Sequence, residues 1–300
     1  KVTASNNMAI YTVRNTYSLT GTSATDNWTL KMISQNSGAR PHCITDTDDI
    51  FSSDDRGISR LSRTETLGGF GSATITDGIQ PLFKRIAQKA SCATTLRSLN
   101  QMRFFYGTDC IIASQIEYNA NGNTGIRYGM TQASFPSTPV LCVSTEEDQS
   151  GFERTFFGSD DGFVYQMDKG RSHNGKEIEV KMTLAFNHFG TPTVNKRFMG
   201  IGIEAMLLEP TYFELDYVMD DGLKTFEYRT AEFPDGSSVF GFAEFGDALF
   251  GSRPLSREKV SLKGTGYNLQ LSFSRESSQD AQSTLTGYTI RLKERGQVAL

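Results

Sequence analysis

The residues able to do chemistry are sparse and poorly spaced for it. Only three histidines occur, His42, His173 and His188. His42 and Cys43 are adjacent, so on a strand they point to opposite faces and cannot chelate together. No spacing in the chain matches a zinc site. The acidic run Asp46-Thr47-Asp48-Asp49 is the next candidate, for calcium. It departs from an EF-hand loop, because Ile50 takes the fifth position and Phe51 the sixth, where a ligand and a glycine are needed. A loosely held calcium is left open there, and no metal site is expected. No G-x-S-x-G nucleophile elbow and no G-x-x-x-x-G-K-[ST] phosphate loop occurs. Gly264-Thr265-Gly266 lies between two strand patterns and reads as a turn or bulge. Cys43, Cys92, Cys110 and Cys142 form no C-x-x-C and read as reduced thiols without a disulfide. No catalytic residue and no cofactor is expected.

The carboxylates that do stand out belong to turns. Ile50–Ile58 runs strand, Asp-rich turn, strand, and Phe156–Val164 echoes it. Phe104–Ile112 is a weaker copy and Ala9–Tyr17 a fourth. The turns centre near residues 15, 55, 108 and 161. A period of about 40–50 residues made of short strands is that of propeller blades. Asp54, Asp55 and Gly57, and Asp160, Asp161 and Gly162, are therefore read as structural hairpin residues. Their carboxylates bond the backbone of their own turns, and glycine supplies positive φ. Ser53-Asp54-Asp55-Arg56-Gly57-Ile58-Ser59-Arg60 resembles the Asp-box hairpin of sialidase propellers through Ser53, Asp55 and Gly57. Ser59 stands where Thr is usual and Arg60 where Trp is usual, and the second hairpin is one residue shorter. That box is a fold element, so it speaks for architecture and not for an active centre. No pair of carboxylates singles itself out for glycoside chemistry.

Composition agrees with many short strands. Gly (28), Phe (21) and Tyr (11) are abundant, 37% of residues are apolar and 21% charged, which suits a packed β fold. The net charge of −4 excludes the basic footprint of a nucleic-acid-gripping protein. No apolar run nears the ~20 residues of a membrane span. The expected fold is all-β: a partial β-propeller over 1–172, then an antiparallel β-sandwich-like domain over 173–300. The chain starts at Lys1 without an initiator Met, and further blades are expected upstream. Residues 77–100 are set apart, with a short helix over 81–89 presenting Leu82, Phe83, Ile86 and Ala90. In the second domain Glu177–Phe186 alternates cleanly, as a half-buried strand does, and Asp220-Asp221-Gly222 marks a hairpin. Phe-Gly recurs every five residues at 240, 245 and 250. Phe240, Phe242, Phe245 and Phe250 form the candidate interaction loop, since exposed aromatics anchor partners.

The order of several motifs resembles the tail nozzle, or tail hub, proteins of short-tailed bacteriophages. Met8–Gly21 is similar to a blade segment of that family, and Asp55-Arg56-Gly57-Ile58 to its D-R-G-hydrophobic blade. Asp77-Gly78-Ile79-Gln80-Pro81-Leu82 resembles its S-x-x-I-Q-P connection, and Ser98–Tyr106 its K-x-x-Q-Y-R-L-F-F strand. Phe156–Gly170, Phe186–Phe198 and Gly264–Gly296 are similar to its last blade and C-terminal part. Met102 departs from the family, standing where an aromatic is common. The resemblance implies a structural virion protein of the tail, not an enzyme. It implies a self-assembled ring, a hexamer, below the portal adaptor protein, with tail fibres or tailspikes outside. Genome DNA would pass the bore without sequence-specific binding; which residues face it is unknown. A chain at −4 suits a lining over which polyanionic DNA must slide. The alternatives are a propeller glycosidase and a receptor- or carbohydrate-binding protein of the tail tip.

Overall fold

The computed structural model describes residues 8–21, 27–62, 64, 74–120, 123–170, 172–207, 211–233, 255–277 and 283–295. The chain is all-β, made of several small antiparallel sheets. It divides into two compact units, 1–169 and 170–300. Among the described residues no helix is long and apolar enough to cross a membrane.

The first unit contains four meanders, each made of strands consecutive in sequence. Sheet one is β1 (Met8–Tyr11), β2 (Thr16–Thr20) and β3 (Thr29–Ser34); sheet two is β4 (Ile44–Asp46), β5 (Ile50–Ser53) and β6 (Ile58–Arg60). Sheet three is β7 (Ala90–Leu96), β8 (Gln101–Tyr106), β9 (Asp109–Ala120) and β10 (Asn123–Ser134). Sheet four is β11 (Cys142–Glu147), β12 (Glu153–Gly158) and β13 (Val164–Gln166). The four hairpins read from the sequence are the turns β1–β2, β5–β6, β8–β9 and β12–β13, one in each sheet.

Period-two alternation gives each strand two faces, and the sheets use them in series. Ala9 clusters with Ile50 and Leu61, joining sheet one to sheet two. Phe51 lies edge-on to Tyr128 at 5.5 Å, and Ser53 Oγ meets Tyr106 Oη at 2.8 Å, joining two to three. Cys92, Phe105 and Cys110 pack with Phe157 and Met167, joining three to four. Helix α1 (Gln80–Ile86) begins with Pro81 in its first turn and has no side-chain cap. It persists because Phe83 and Ile86 are buried against sheet three, with Phe83 at 5.6 Å from Tyr106. The helical segment expected over 81–89 is thus a helix to Ile86 and a 3-10 turn over Ala87–Lys89. The stretch set apart as 77–100 also holds strand β7, which the sequence reading did not anticipate.

The second unit contains β14 (Ile178–Thr183), β15 (Lys196–Leu207), β16 (Thr211–Met219), β17 (Lys224–Phe233), β18 (Leu255–Ser261), β19 (Thr265–Gly266), β20 (Leu269–Ser277) and β21 (Ser283–Glu294). One sheet has the order β14-β20-β16-β17. In the other, β15 pairs with β18, β19 and β21. Alternate residues of β15 (Ile201, Ile203, Ala205), β16 (Phe213, Leu215, Tyr217) and β20 (Leu269, Leu271, Phe273) share one core. The β16–β17 hairpin turns through Asp220, Asp221 and Gly222, all at positive φ. Two local bonds offset that strain: Asp220 accepts from Tyr267 N at 2.8 Å, and Asn268 Nδ2 donates to Asp221 at 2.8 Å.

Candidate functional site

The first strands of sheets two, three and four converge on a polar cavity of about 530 Å³. Thr45, Thr94, Thr95 and Thr145 line it. Thr45 Oγ1 meets Thr95 Oγ1 at 2.5 Å, and Thr95 Oγ1 also approaches the Asp46 carbonyl at 2.8 Å. Thr94 bonds Thr145 at 2.8 Å, and Thr145 bonds Thr155 at 3.0 Å. This hydroxyl ladder ties three sheets together.

Carboxylates Asp46, Glu146, Glu147 and Glu153, the cation Arg97, and Ile44 and Ala93 complete the lining. Glu153 accepts from Arg97 N at 2.9 Å, Ser98 N at 2.8 Å and Ser98 Oγ at 2.5 Å. Desolvation pushes its pKa upward, but these three donors outweigh it and hold the carboxyl below its usual range. A group so held stays ionised and clamps the β7–β8 turn to β12. Glycoside chemistry needs an ionised carboxylate together with a second carboxylic acid kept protonated near neutral pH.

The hairpin residues singled out in the sequence are placed as follows. Asp54 is buried. It accepts from Arg56 N at 2.8 Å and Gly57 N at 3.2 Å, and its other oxygen takes Arg56 Nη2 at 2.7 Å. Asp55, the residue aligned with the Asp-box, instead faces outward and pairs with Arg40 Nε at 2.6 Å. In the second hairpin Asp161 takes Phe163 N at 3.0 Å and Tyr165 Oη at 2.6 Å, while Gly162 has φ of 82°. The Tyr165 hydroxyl and then the Phe163 amide hold the Asp161 carboxyl low, and Asp161 in turn raises the Tyr165 phenol. Asp160 is met by Ser159 Oγ at 3.4 Å. The hairpins are not superimposable: the fixing aspartate is the first of its pair in one and the second in the other. Phe240, Phe242, Phe245 and Phe250 lie outside the described residues.

In the acidic run, Asp49 is occupied by Arg60 Nε at 2.6 Å and Ile50 N at 2.8 Å, and Asp48 takes Gln115 Nε2 at 3.1 Å. Among the described residues no three His, Cys, Asp or Glu gather as a metal would require. Cys43, Cys92 and Cys110 are buried free thiols, and Cys142 is an exposed one. Burial, reinforced by the neighbouring Cys92, pushes Cys43 up to about 12; burial likewise pushes Cys92 to about 11. Neither is a thiolate near neutral pH, so neither is a nucleophile.

A second hollow, about 300 Å³, lies on the outer face of β15. Gly200 and Gly202 floor it and Lys259 and Arg291 border it, while Arg257 is paired with Glu204 at 2.8 Å. Sequence reasoning missed both hollows. Threonine and glycine carry no chemical signal singly, and the strands that bring them together are far apart in the chain.

The chain matches no protein-family model and no curated protein. Among solved structures it is similar to a tryptic core variant of the Bacillus thuringiensis toxin Cry1Da, at 8% identity and a TM-score of 0.20. That match covers 68% of this chain and 50% of the other, and at such a score it carries no argument.

Proposed function

We propose that this chain is a structural subunit of a phage tail nozzle or hub: a propeller joined to a sandwich-like domain, assembled as a ring that conducts DNA and docks fibres or tailspikes. One observation carries the reading. Four of the motifs that resemble the nozzle family, Met8–Gly21, Asp55–Ile58, Ser98–Tyr106 and Phe156–Gly170, fall in order on the four successive meanders of the first unit. Meanders packed face to face in chain order are the units from which propellers are built. The turn carboxylates support the same reading, because Asp54 and Asp161 are consumed by their own hairpins. Their use is architectural.

The glycosidase alternative finds less support. In the cavity that gathers carboxylates, both oxygens of Glu153 are engaged by the Arg97 and Ser98 amides and the Ser98 hydroxyl of the β7–β8 turn. The Phe-Gly repeat at 240–250 remains the segment proposed to dock a fibre or a neighbouring subunit. The test is imaging by cryo-EM of the full protein, isolated and in its particle. A ring with a through-channel wide enough for duplex DNA is expected. A solitary monomer, or cleavage of glycan by the purified protein, would overturn the reading.

A further inference from the structure

We infer that the outer face of the β15 sheet, in the second unit, docks the phosphodiester backbone of duplex DNA without reading its sequence. Register builds this face. Phe198, Ile201 and Ile203 of β15 and Val260 of β18 are buried in the core, and Ile290 and Leu292 of β21 pack against it. The residues that alternate with them point outward. Five of these are cations: Arg197 on β15, Arg257 and Lys259 on β18, Arg291 and Lys293 on β21. Glu204 is the carboxylate on the same face, and Arg257 neutralises it at 2.8 Å. Glu258 and Glu294 fall at positions of the opposite parity, across from Ile203 and Lys196. Arg197, Lys259, Arg291 and Lys293 are exposed and have no ion-pair partner among the described residues. Positive charge is thus gathered on one face of a chain that stands at −4 as a whole.

Between the cations the sheet is low. Gly200 and Gly202 floor the hollow of about 300 Å³. The Arg291 guanidinium lies over that floor, its Nη2 3.8 Å from where a Cβ on Gly200 would stand. Ser261 is in register with Gly200 and Thr289 with Gly202, which sets a hydroxyl beside each glycine. β18 and β21 flank β15 and stand about 10 Å apart, so Lys259 and Arg291 face each other diagonally across the floor. A phosphate seated there approaches the backbone closely, takes both cations and finds hydroxyl donors. Arg197 and Lys293 lie farther along β15, in register with one another, for the next phosphates.

Charge complementarity selects a polyanion, and the make-up of the face selects which one. A protein partner needs an apolar, aromatic centre. No aromatic side chain is among the outward residues described on these strands, and Met206 at one end is the exposed large apolar one. The same lack leaves single-stranded bases nothing to stack on and an anionic membrane no apolar anchor. What remains is contact through phosphate, which positions a duplex and carries no sequence information. The inference goes beyond the tail reading, which calls for DNA in transit and names no surface for it, and it rests on the charge and register of this sheet alone.

Fluorescence anisotropy of a labelled mixed-sequence duplex, titrated with the full chain, tests it. Four phosphate contacts give a slope of about −3.6 in log affinity against log salt, a fall of about a hundredfold between about 50 and about 200 mM. Lys259→Gln with Arg291→Gln should remove about half of that slope and weaken binding at the lower salt. The same loss of charge on helix α1, by Lys84→Gln with Arg85→Gln, should leave binding unchanged. All four sites are exposed, and far-UV CD checks folding. Polyglutamate and phosphatidylglycerol vesicles should compete far less well than unlabelled duplex. Absence of binding at the lower salt, equal weakening by the α1 pair, or either competitor matching the duplex would overturn the inference. None of those results bears on whether the protein forms a ring, and a solitary monomer that binds duplex through this face would sink the tail reading alone.

Discussion

The first unit is assembled from neighbours in sequence, and the second from strands far apart. Every sheet of the first unit is a run of consecutive strands, whereas β14 pairs with β20 and β15 with β21 in the second. The interiors differ in the same way. The second unit buries one apolar cluster that draws on five of its strands. The first divides its burial among three clusters and fills a junction with threonine hydroxyls. Local meanders form without a large loop-closure cost, so each needs only a modest core. Non-local pairing must be offset by a single continuous one.

This contrast fixes what substitutions should do. Phe273→Ala removes a buried ring from the shared core of the second unit and should cost about 3–5 kcal/mol. Calorimetry should then show the second unit melting early while a separate transition remains for the first; one merged transition would mean that the units do not unfold apart. Asp54→Ala strips one hairpin of its buried turn acceptor, and a cost of about 1–3 kcal/mol is expected. Hydrogen exchange should localise the loosening to sheet two, and a spread into sheet four would contradict the division into local clusters. Thr94→Val cuts one rung of the hydroxyl ladder and should cost about 0.5–1.5 kcal/mol, read by urea titration, because Thr145 keeps its bond to Thr155.

The thiols give a subtler separation, since all four cysteines lie in the first unit. Burial raises Cys43 and Cys92, so the unfolded thiols ionise first as pH rises. Their contribution is full below about pH 9 and disappears between there and about 12 for Cys43 and 11 for Cys92. Cys43→Ala with Cys92→Ala should flatten the alkaline fall of the first unit's stability; an unchanged slope would assign that fall to other groups. At neutral pH, mass spectrometry after brief iodoacetamide treatment should find a single modified thiol, Cys142. Labelling of Cys110 at the same rate would mean that the junction between sheets three and four opens readily.

The legible part of the molecule was the part built locally. A polar turn between two β-rich runs marked each of the four hairpins, because a tight turn needs particular residues at its centre. Strand β7 was lost because Ala90-Ser91-Cys92-Ala93-Thr94-Thr95 is small and weakly apolar; its faces are filled from sheets two and four. Of strands β9 and β10 only the start of β9 was marked, by the Phe104–Ile112 hairpin; the two run over Asp109–Ala120 and Asn123–Ser134. Their outer halves stay paired through backbone bonds although Ile116, Tyr118 and Ile126 are exposed and pack into no core. The Asp-box alignment chose Asp55, yet Asp54 holds the turn, because one residue of offset reverses which side chain points inward. The cavity depended on three strands separated by some fifty residues each, and no local pattern encodes such a meeting.

The β9–β10 ribbon has a mechanical consequence. Ile111 and Ala113 root it in the interior, while Ile116, Tyr118 and Ile126 farther along are exposed. A Cβ on Gly125 would come within 2.7 Å of the Tyr118 ring, so that ring lies flat across the arm and braces it. At about 3.4 Å per residue the arm is a cantilever. A pull on its tip tensions both strands alike and delivers the load, as shear, to the β8–β9 ladder at its root beside Phe104.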